Sequence, residues 1–147
     1  MLKPKVIISS CLLGECCRYD GKTKRVSEII KTFEAYEIIP FCPEAPLFGT
    51  PRQRINVLRK DEKNRIITDK TGEDVTELLE NEIYAFIKKF PHAKKIVLKS
   101  KSPSCGLGTT PILDDEKNIV DFGDGIAAHI FKKEYQNSEF LDEIAFV

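Results

Sequence analysis

The sequence has no net charge, since 23 Lys and Arg residues balance 23 Asp and Glu residues. This balance gives no electrostatic reason to expect binding to nucleic acid or to an anionic membrane. No stretch approaches the roughly 20 apolar residues that a membrane-spanning helix requires. The apolar run near the N-terminus, residues 6–8, is too short for a signal peptide and predicts a first strand. We therefore expect a cytoplasmic protein that has no membrane association, with nucleic acid disfavoured as a partner.

Histidine is scarce, and no pair of cysteines has the spacing of a zinc finger. His92 and His129 lie in or beside predicted helices, where surface or packing roles are expected. The chain nevertheless contains five cysteines. Thiols stay reduced in the cytosol, so a disulfide framework is not expected there. Metal binding or catalysis is the leading interpretation of these cysteines.

The length of 147 residues, with 41% hydrophobic and 31% charged residues, indicates one globular domain covering residues 1–147. Apolar periodicity predicts strands at residues 5–9, 37–41, 65–68 and 95–99, with an ambiguous last strand at 140–147. Helices are predicted at residues 27–36, 74–90 and 123–135, the second of them capped by Asp74. This order predicts an α/β fold, a three-layer Rossmann-like domain with a mostly parallel sheet.

Three cysteines follow three of these predicted strands. Cys11 lies just beyond the first strand, Cys42 directly follows the second, and Cys105 follows the strand at residues 95–99 across a loop rich in Ser, Gly and Pro. A single cysteine is more often a small buried residue than a ligand. Because ligands bind at the carboxyl ends of parallel strands, three cysteines at such ends favour a shared metal centre.

Three thiolates can hold three corners of a cubane iron–sulfur cluster, which leaves one iron open to substrate. A zinc site with three thiolates and a water is an alternative that the residue types leave open. The adjacent Cys16 and Cys17 are either redox-active, a spare ligand, or packed within their loop, and packing is the favoured interpretation.

Polar residues beside these cysteines are the candidates for chemistry. Glu44 can serve as a general base, and Ser102 can donate a hydrogen bond to the substrate. Arg18 can hold an anionic or carbonyl oxygen. Each residue taken singly is also common in turns. The residues that we predict to bind substrate are Arg18, Tyr19, Asp20 and Ser104.

Several segments together resemble the thiouracil desulfurase family. They include SSCLLG and CRYDG at residues 9–14 and 17–21, FCPE and TPR at 41–44 and 50–52, and LKSKSPSCG at 98–106, and the CRYDG and SPSCG parts are the most distinctive. GEDVT and GDGIAA at residues 72–76 and 123–128 complete the set. These segments stand in the family's order over about residues 5–135.

This resemblance implies a 4Fe–4S cluster held by Cys11, Cys42 and Cys105. It implies that the thione sulfur of a thiolated base binds the remaining iron and that water replaces that sulfur without net redox change. Glu44 would handle protons and Ser102 would assist by hydrogen bonding. The segments after Arg52 and after Gly106 depart from the family pattern, so the exact thiolated substrate stays open.

Two other functions would use some of the same residues. A phosphatase or arsenate reductase of the low-molecular-weight type needs five residues between its cysteine and arginine, whereas Cys11 and Arg18 are separated by one more, and the other cysteines would go unexplained. A non-enzymatic metal or sulfur carrier would use the same cysteines. Glu44 and Ser102 beside those cysteines favour an enzyme over a carrier.

Overall fold

The computed structural model describes residues 3–15, 18–21 and 24–146. Within them the strands are β1 (Lys5–Ser9), β2 (Glu37–Phe41), β3 (Ile55–Lys60), β4 (Lys63–Thr68), β5 (Lys95–Leu98), β6 (Thr110–Leu113), β7 (Ile119–Gly123) and β8 (Glu139–Asp142). The helices are α1 (Ser27–Thr32), α2 (Ala45–Phe48), α3 (Thr76–Lys89) and α4 (Ile126–Glu134), with 3₁₀ helices at Ser10–Leu13 and Glu143–Phe146.

The first sheet, sheet A, has the strand order β2-β1-β5-β8, and all of its pairs are parallel. Ser9 at the end of β1 is in register with Phe41 at the end of β2. On the other side of β1, Ile8 is in register with Val97 of β5. Pro40 is tolerated because β2 is an edge strand, where a missing N–H costs no inner ladder bond.

The second sheet, sheet B, has the order β4-β3-β6-β7. Strand β3 pairs antiparallel with β4 and parallel with β6, whereas β6 and β7 form an antiparallel pair. The β3–β4 hairpin turns through Asp61 and Glu62, both at positive φ, which is the backbone conformation of a tight hairpin turn.

Both faces of sheet A are buried. Val6 and Ile8 of β1 point to one face and pack with Ile29 and Phe33 from the α1 region. Ile7 points to the other face, into a larger core that α3, α4 and sheet B share. A strand that is covered on both faces needs apolar side chains at successive positions, which is why Val6, Ile7 and Ile8 are all apolar.

The structure confirms the α/β class with a parallel sheet and corrects several elements. Helix α1 ends at Thr32 rather than at residue 36, because Phe33 leaves the helical conformation. The segment 42–54, predicted as a loop, contains the short helix α2. Sheet B was not predicted apart from part of β4. The Rossmann-like description stays a prediction.

No helix in the described part of the chain is long and apolar enough to span a membrane.

Helix α3 begins one residue later than predicted. Val75 occupies the N-cap position, so Asp74 lies one residue before it. The Asp74 carboxylate still accepts the N–H of Thr76 at 3.0 Å and forms an ion pair with Arg65 at 2.8 Å. The predicted acid therefore supports the helix start, although it does so from outside the helix.

Glu143 ties the end of sheet A to the loop that follows β5. Its carboxylate accepts the Ser100 N–H at 2.6 Å and the Ser100 hydroxyl at 2.9 Å, and it pairs with Lys99 at 3.2 Å. Burial raises the pKa of this carboxyl, but the contacts with Ser100 and Lys99 outweigh burial and hold the pKa below its ordinary value. The ionised form is therefore the one that the folded protein stabilises.

We expect Glu143→Gln to lower the free energy of unfolding at pH 7 by about 1.5–3 kcal/mol, the range for hydrogen bonds to a charged group. Because the pKa is lowered on folding, this contribution is complete above the ordinary glutamate pKa of about 4.3 and fades as the pH falls below it. Denaturant unfolding at several pH values measures this difference. Glu139→Gln, which removes an exposed ion pair with Lys95, is the control and should change little. An equal loss at pH 3 and pH 7 would contradict the assignment.

Candidate functional site

Three loops leave sheet A at its carboxyl edge. Strands β2, β1 and β5 are adjacent and parallel, so the chain after Phe41, Ser9 and Leu98 emerges on the same side. These loops carry Cys42, Cys11 and the segment that ends at Cys105, respectively. All three predicted metal ligands therefore belong to loops of one sheet edge.

Cys11 lies in the 3₁₀ helix that directly follows β1. Its side chain is buried and packs with Leu12 and Ile29 on the α1 side of sheet A. Its carbonyl oxygen accepts the N–H groups of Gly14 at 3.3 Å and Lys24 at 3.0 Å. This peptide therefore anchors both ends of the loop that contains the predicted substrate-binding residues.

Cys42 and Cys105 interact with each other and with Glu44. Cys105 is buried, and this burial, together with the negative charges of Cys42 and Glu44, raises its pKa to about 12, against hydrogen bonds from Ser9 and Ser102 that favour the thiolate. The Cys42 sulfur accepts the N–H of Ala45 at 3.5 Å, at the start of α2. A thiol with so high a pKa stays protonated unless a cation is close to it.

Ser102 organises the turn that presents Cys105. Its hydroxyl oxygen accepts the N–H groups of Ser104 at 3.2 Å and Cys105 at 3.1 Å. Its carbonyl oxygen accepts the Gly106 N–H at 3.0 Å and the Thr110 hydroxyl at 2.6 Å. The Ser102 side chain is thus next to Cys105, as the predicted catalytic role requires, and it also shapes the backbone there.

Glu44 is held at both carboxylate oxygens. The hydroxyl of fully buried Ser104 donates to Oε2 at 2.8 Å. The Arg52 guanidinium approaches Oε1 at 3.4 Å through Nη2. The Glu44 and Arg52 side chains are only 13% and 6% exposed, so this contact is shielded from solvent. Ser104, predicted to bind substrate, therefore contacts the carboxylate of the predicted general base.

The predicted substrate-binding loop, residues 18–21, reaches the same region. Arg18 pairs with Asp20 at 3.5 Å and lies 5.7 Å from the Tyr19 ring centroid. The Arg54 guanidinium lies over that ring at 4.6 Å and hydrogen-bonds the Tyr19 hydroxyl. The Tyr19 carbonyl accepts the Arg52 N–H at 2.7 Å. This loop is thereby linked to the arginine that contacts Glu44.

Sequence reasoning did not select Arg52 and Arg54 as site residues. Arg52 belongs to the TPR segment that carried part of the family resemblance, and this was the signal that pointed to it. The roles of Arg18, Tyr19 and Asp20 as substrate-binding residues stay predictions. Cys16 and Cys17 lie outside the described residues.

The N-terminus of α4 packs against the Cys105 loop. The carbonyl of Ser104 accepts the N–H groups of Ala127 at 2.7 Å and Ala128 at 3.2 Å, while Gly125 donates to the Gly106 carbonyl at 2.8 Å. These bonds satisfy N–H groups that a helix start leaves without intrahelical partners. They also lock the backbone on both sides of Cys105.

Within residues 3–15, 18–21 and 24–146, no three His, Cys, Asp or Glu side chains are arranged to hold a single metal ion. A cubane cluster makes a different demand, because each cysteine binds a separate iron. The three strand-end cysteines supply the soft donors that such a cluster takes. The donor set is thus compatible with an iron–sulfur cluster.

These features define an α/β protein with thiols and a buried carboxylate gathered at the carboxyl edge of its parallel sheet. Residues 6–142 match the profile of the 2-thiouracil desulfurase family, and the chain belongs to that family as a desulfurase-like enzyme. No comparison supports a phosphatase, an arsenate reductase or a carrier protein.

Two relatives are informative. The chain is 35% identical over 113 residues to the uncharacterized protein YbbK of Bacillus subtilis (strain 168). This match covers 70% of this chain and 74% of YbbK. It also resembles a solved structure described as the 4Fe-4S-dependent thiouracil desulfidase TudS, with a TM-score of 0.70 and 26% identity. That match covers 97% of this chain and 92% of TudS.

We expect Gly125→Ala to disturb the Cys105 loop. An added Cβ would lie 2.5 Å from the Ser104 carbonyl carbon and 2.8 Å from the Cys105 nitrogen, and both are backbone atoms that cannot rotate away. Overpacking of this kind costs about 1–3 kcal/mol. Thermal unfolding measures the loss. The control is Gly123→Ala, whose Cβ would meet only the tip of the Ile112 side chain, and equal stability losses in the two variants would contradict the steric account.

Proposed function

We propose that this enzyme removes the thione sulfur from a thiolated nucleobase or related thiolated compound and replaces it with oxygen from water. Family membership supports a desulfurase activity. The observation that carries the proposal is the proximity of Glu44 to Cys42 and Cys105 at the carboxyl edge of sheet A. Hydrolytic removal of sulfur needs a group that handles protons beside the place where sulfur is bound.

Cys11, Cys42 and Cys105 are the proposed ligands of a 4Fe–4S cluster, the cofactor on which TudS is described as depending. The buried Cys105 thiol fits this role, because a bound metal would stabilise the thiolate that burial disfavours. When bound, a cluster held by three cysteines supplies a Lewis acid and an acceptor for the thione sulfur at its fourth iron.

Glu44 is the proposed general base. Its carboxylate accepts a proton from the water that attacks the base carbon, and the water oxygen becomes the new carbonyl oxygen. The sulfur leaves as sulfide, so that thione plus water yields carbonyl plus hydrogen sulfide. No atom changes its net oxidation state, and no external reductant or oxidant is needed.

Ser102 and the loop at residues 18–21 are the proposed contacts to the substrate. A hydroxyl carries one proton to donate in addition to accepting hydrogen bonds. The Ser102 oxygen already accepts two backbone N–H groups, and its hydroxyl also hydrogen-bonds Cys105, so its donation to the substrate would replace the bond to Cys105. The side chains of this loop offer the substrate a cation from Arg18, an aromatic ring from Tyr19 and a carboxylate from Asp20. The loop lies beside Arg52, the arginine that contacts Glu44.

The first prediction on function concerns the cofactor. Anaerobically reconstituted protein should contain about four irons per chain and matching sulfide, as expected for one cubane cluster. The Cys11/Cys42/Cys105 triple Ala variant should contain none, because it lacks the thiolate ligands. Iron and acid-labile sulfide analysis with an absorption spectrum makes the measurement. A colourless, iron-free wild-type protein under these conditions would contradict the proposed cluster.

The second prediction on function concerns Glu44. Glu44→Gln should lower the rate of thiouracil desulfuration by roughly 10²–10⁴-fold, the usual contribution of a general base. Its iron content should match that of the wild type, because Glu44 is not a proposed ligand. Glu37→Gln changes an exposed carboxylate at the amino end of β2, away from Glu44, and serves as the control. Full activity in Glu44→Gln would remove Glu44 from the mechanism.

A further inference from the structure

Arg52 is a buried charged group in contact with the proposed base. Its side chain is 6% exposed, and its Nη2 lies 3.4 Å from the Glu44 Oε1 atom. Its Nε atom is buried and has no hydrogen-bond partner among the described residues. Leaving a buried donor unpaired is costly, so such a group calls for an explanation other than stability.

The Arg52 guanidinium is held in place independently of Glu44. Its Nη1 donates to the Gly49 carbonyl at 2.9 Å, and its backbone N–H donates to the Tyr19 carbonyl at 2.7 Å. These two bonds fix the backbone of Arg52 and one nitrogen of its guanidinium. A fixed Arg52 therefore sets the position of the Glu44 carboxylate, and not the reverse.

The two oxygens of Glu44 are held unequally. Oε2 accepts the Ser104 hydroxyl at 2.8 Å, a normal hydrogen-bond length. The contact of Oε1 with Arg52 is 3.4 Å, longer than the usual 2.7–2.9 Å of a charge-assisted hydrogen bond. Ser104 thus anchors one oxygen, while Arg52 orients the other.

We propose that Arg52 is a positioning residue of the desulfuration reaction, which together with Ser104 sets the orientation of the Glu44 carboxylate toward the attacking water. This inference rests on the proposed function, because it requires Glu44 to be the group that takes the proton. Arg52 contacts the Glu44 carboxylate in this role and does not touch the substrate. It acts through Glu44 alone.

The test uses cluster-loaded Arg52→Ala, Arg52→Lys, Glu44→Gln and the Arg52→Ala/Glu44→Gln double variant. Arg52→Ala should lower kcat by roughly 10- to 100-fold, the effect of a misplaced catalytic group, while KM changes less than about twofold. Added guanidinium ion, well below unfolding concentrations, should restore part of kcat in Arg52→Ala and none in Glu44→Gln. Arg52→Lys should fall between the wild type and Arg52→Ala, since it keeps the charge without the two-point geometry.

The double variant separates positioning from a structural role. If Arg52 acts only through Glu44, adding Arg52→Ala to Glu44→Gln should leave kcat unchanged, whereas a structural role would lower it further. Iron content and thermal unfolding midpoints should be measured for every variant, because they follow folding and cofactor retention without reference to activity. Arg59→Ala, which removes an exposed arginine paired with Asp121, controls for loss of a positive charge.

The outcomes are distinguishable. Loss of activity in Glu44→Gln with normal kcat in Arg52→Ala would overturn the role of Arg52 and leave the proposed function standing. Full activity in Glu44→Gln would overturn both. If Arg52→Ala fails to fold, Arg52→Lys takes its place, and a wild-type kcat there, or a raised KM with unchanged kcat, would refute positioning.

Discussion

The parallel pairing of β1 with β2 on one side and β5 on the other is the constraint on which the candidate site depends. Because the three strands end together, the segments 42–54 and 99–109 start beside the Cys11 loop. These two segments then lead into β3 and β6, which are parallel neighbours in sheet B. The site therefore lies where the carboxyl edge of one sheet meets the amino ends of two strands of the other.

Burial at this junction strengthens the polar contacts of the site. Electrostatic interactions are stronger in a poorly solvated environment, so the charges of Glu44 and Arg52 affect each other more than a surface pair would. The same burial raises the pKa of Cys105. Hydrogen bonds that Ser102 and the start of α4 make with the backbone fix the Cys105 loop beside Cys42 and Glu44.

Elements with strong local signals could be predicted from the sequence, and elements without them could not. The apolar run of β1 and the period of α3 were found nearly to the residue, since each buries a continuous or regular apolar surface. The β3–β4 hairpin was missed because its turn uses Asp61 and Glu62 instead of the usual Asn or Gly. Strand β7 is largely exposed and has no buried alternation to reveal it.

The sequence by itself determined the α/β class, the family, and the three strand-end positions of Cys11, Cys42 and Cys105, because residue type and the order of elements along the chain are local properties. Only the tertiary structure decided that Arg52 reaches Glu44 and that Ser104 is fully buried against the same carboxylate. Glu44 and Ser104 are separated by 60 residues. Their contact follows from how the two sheets pack, and no local pattern in the chain encodes that packing.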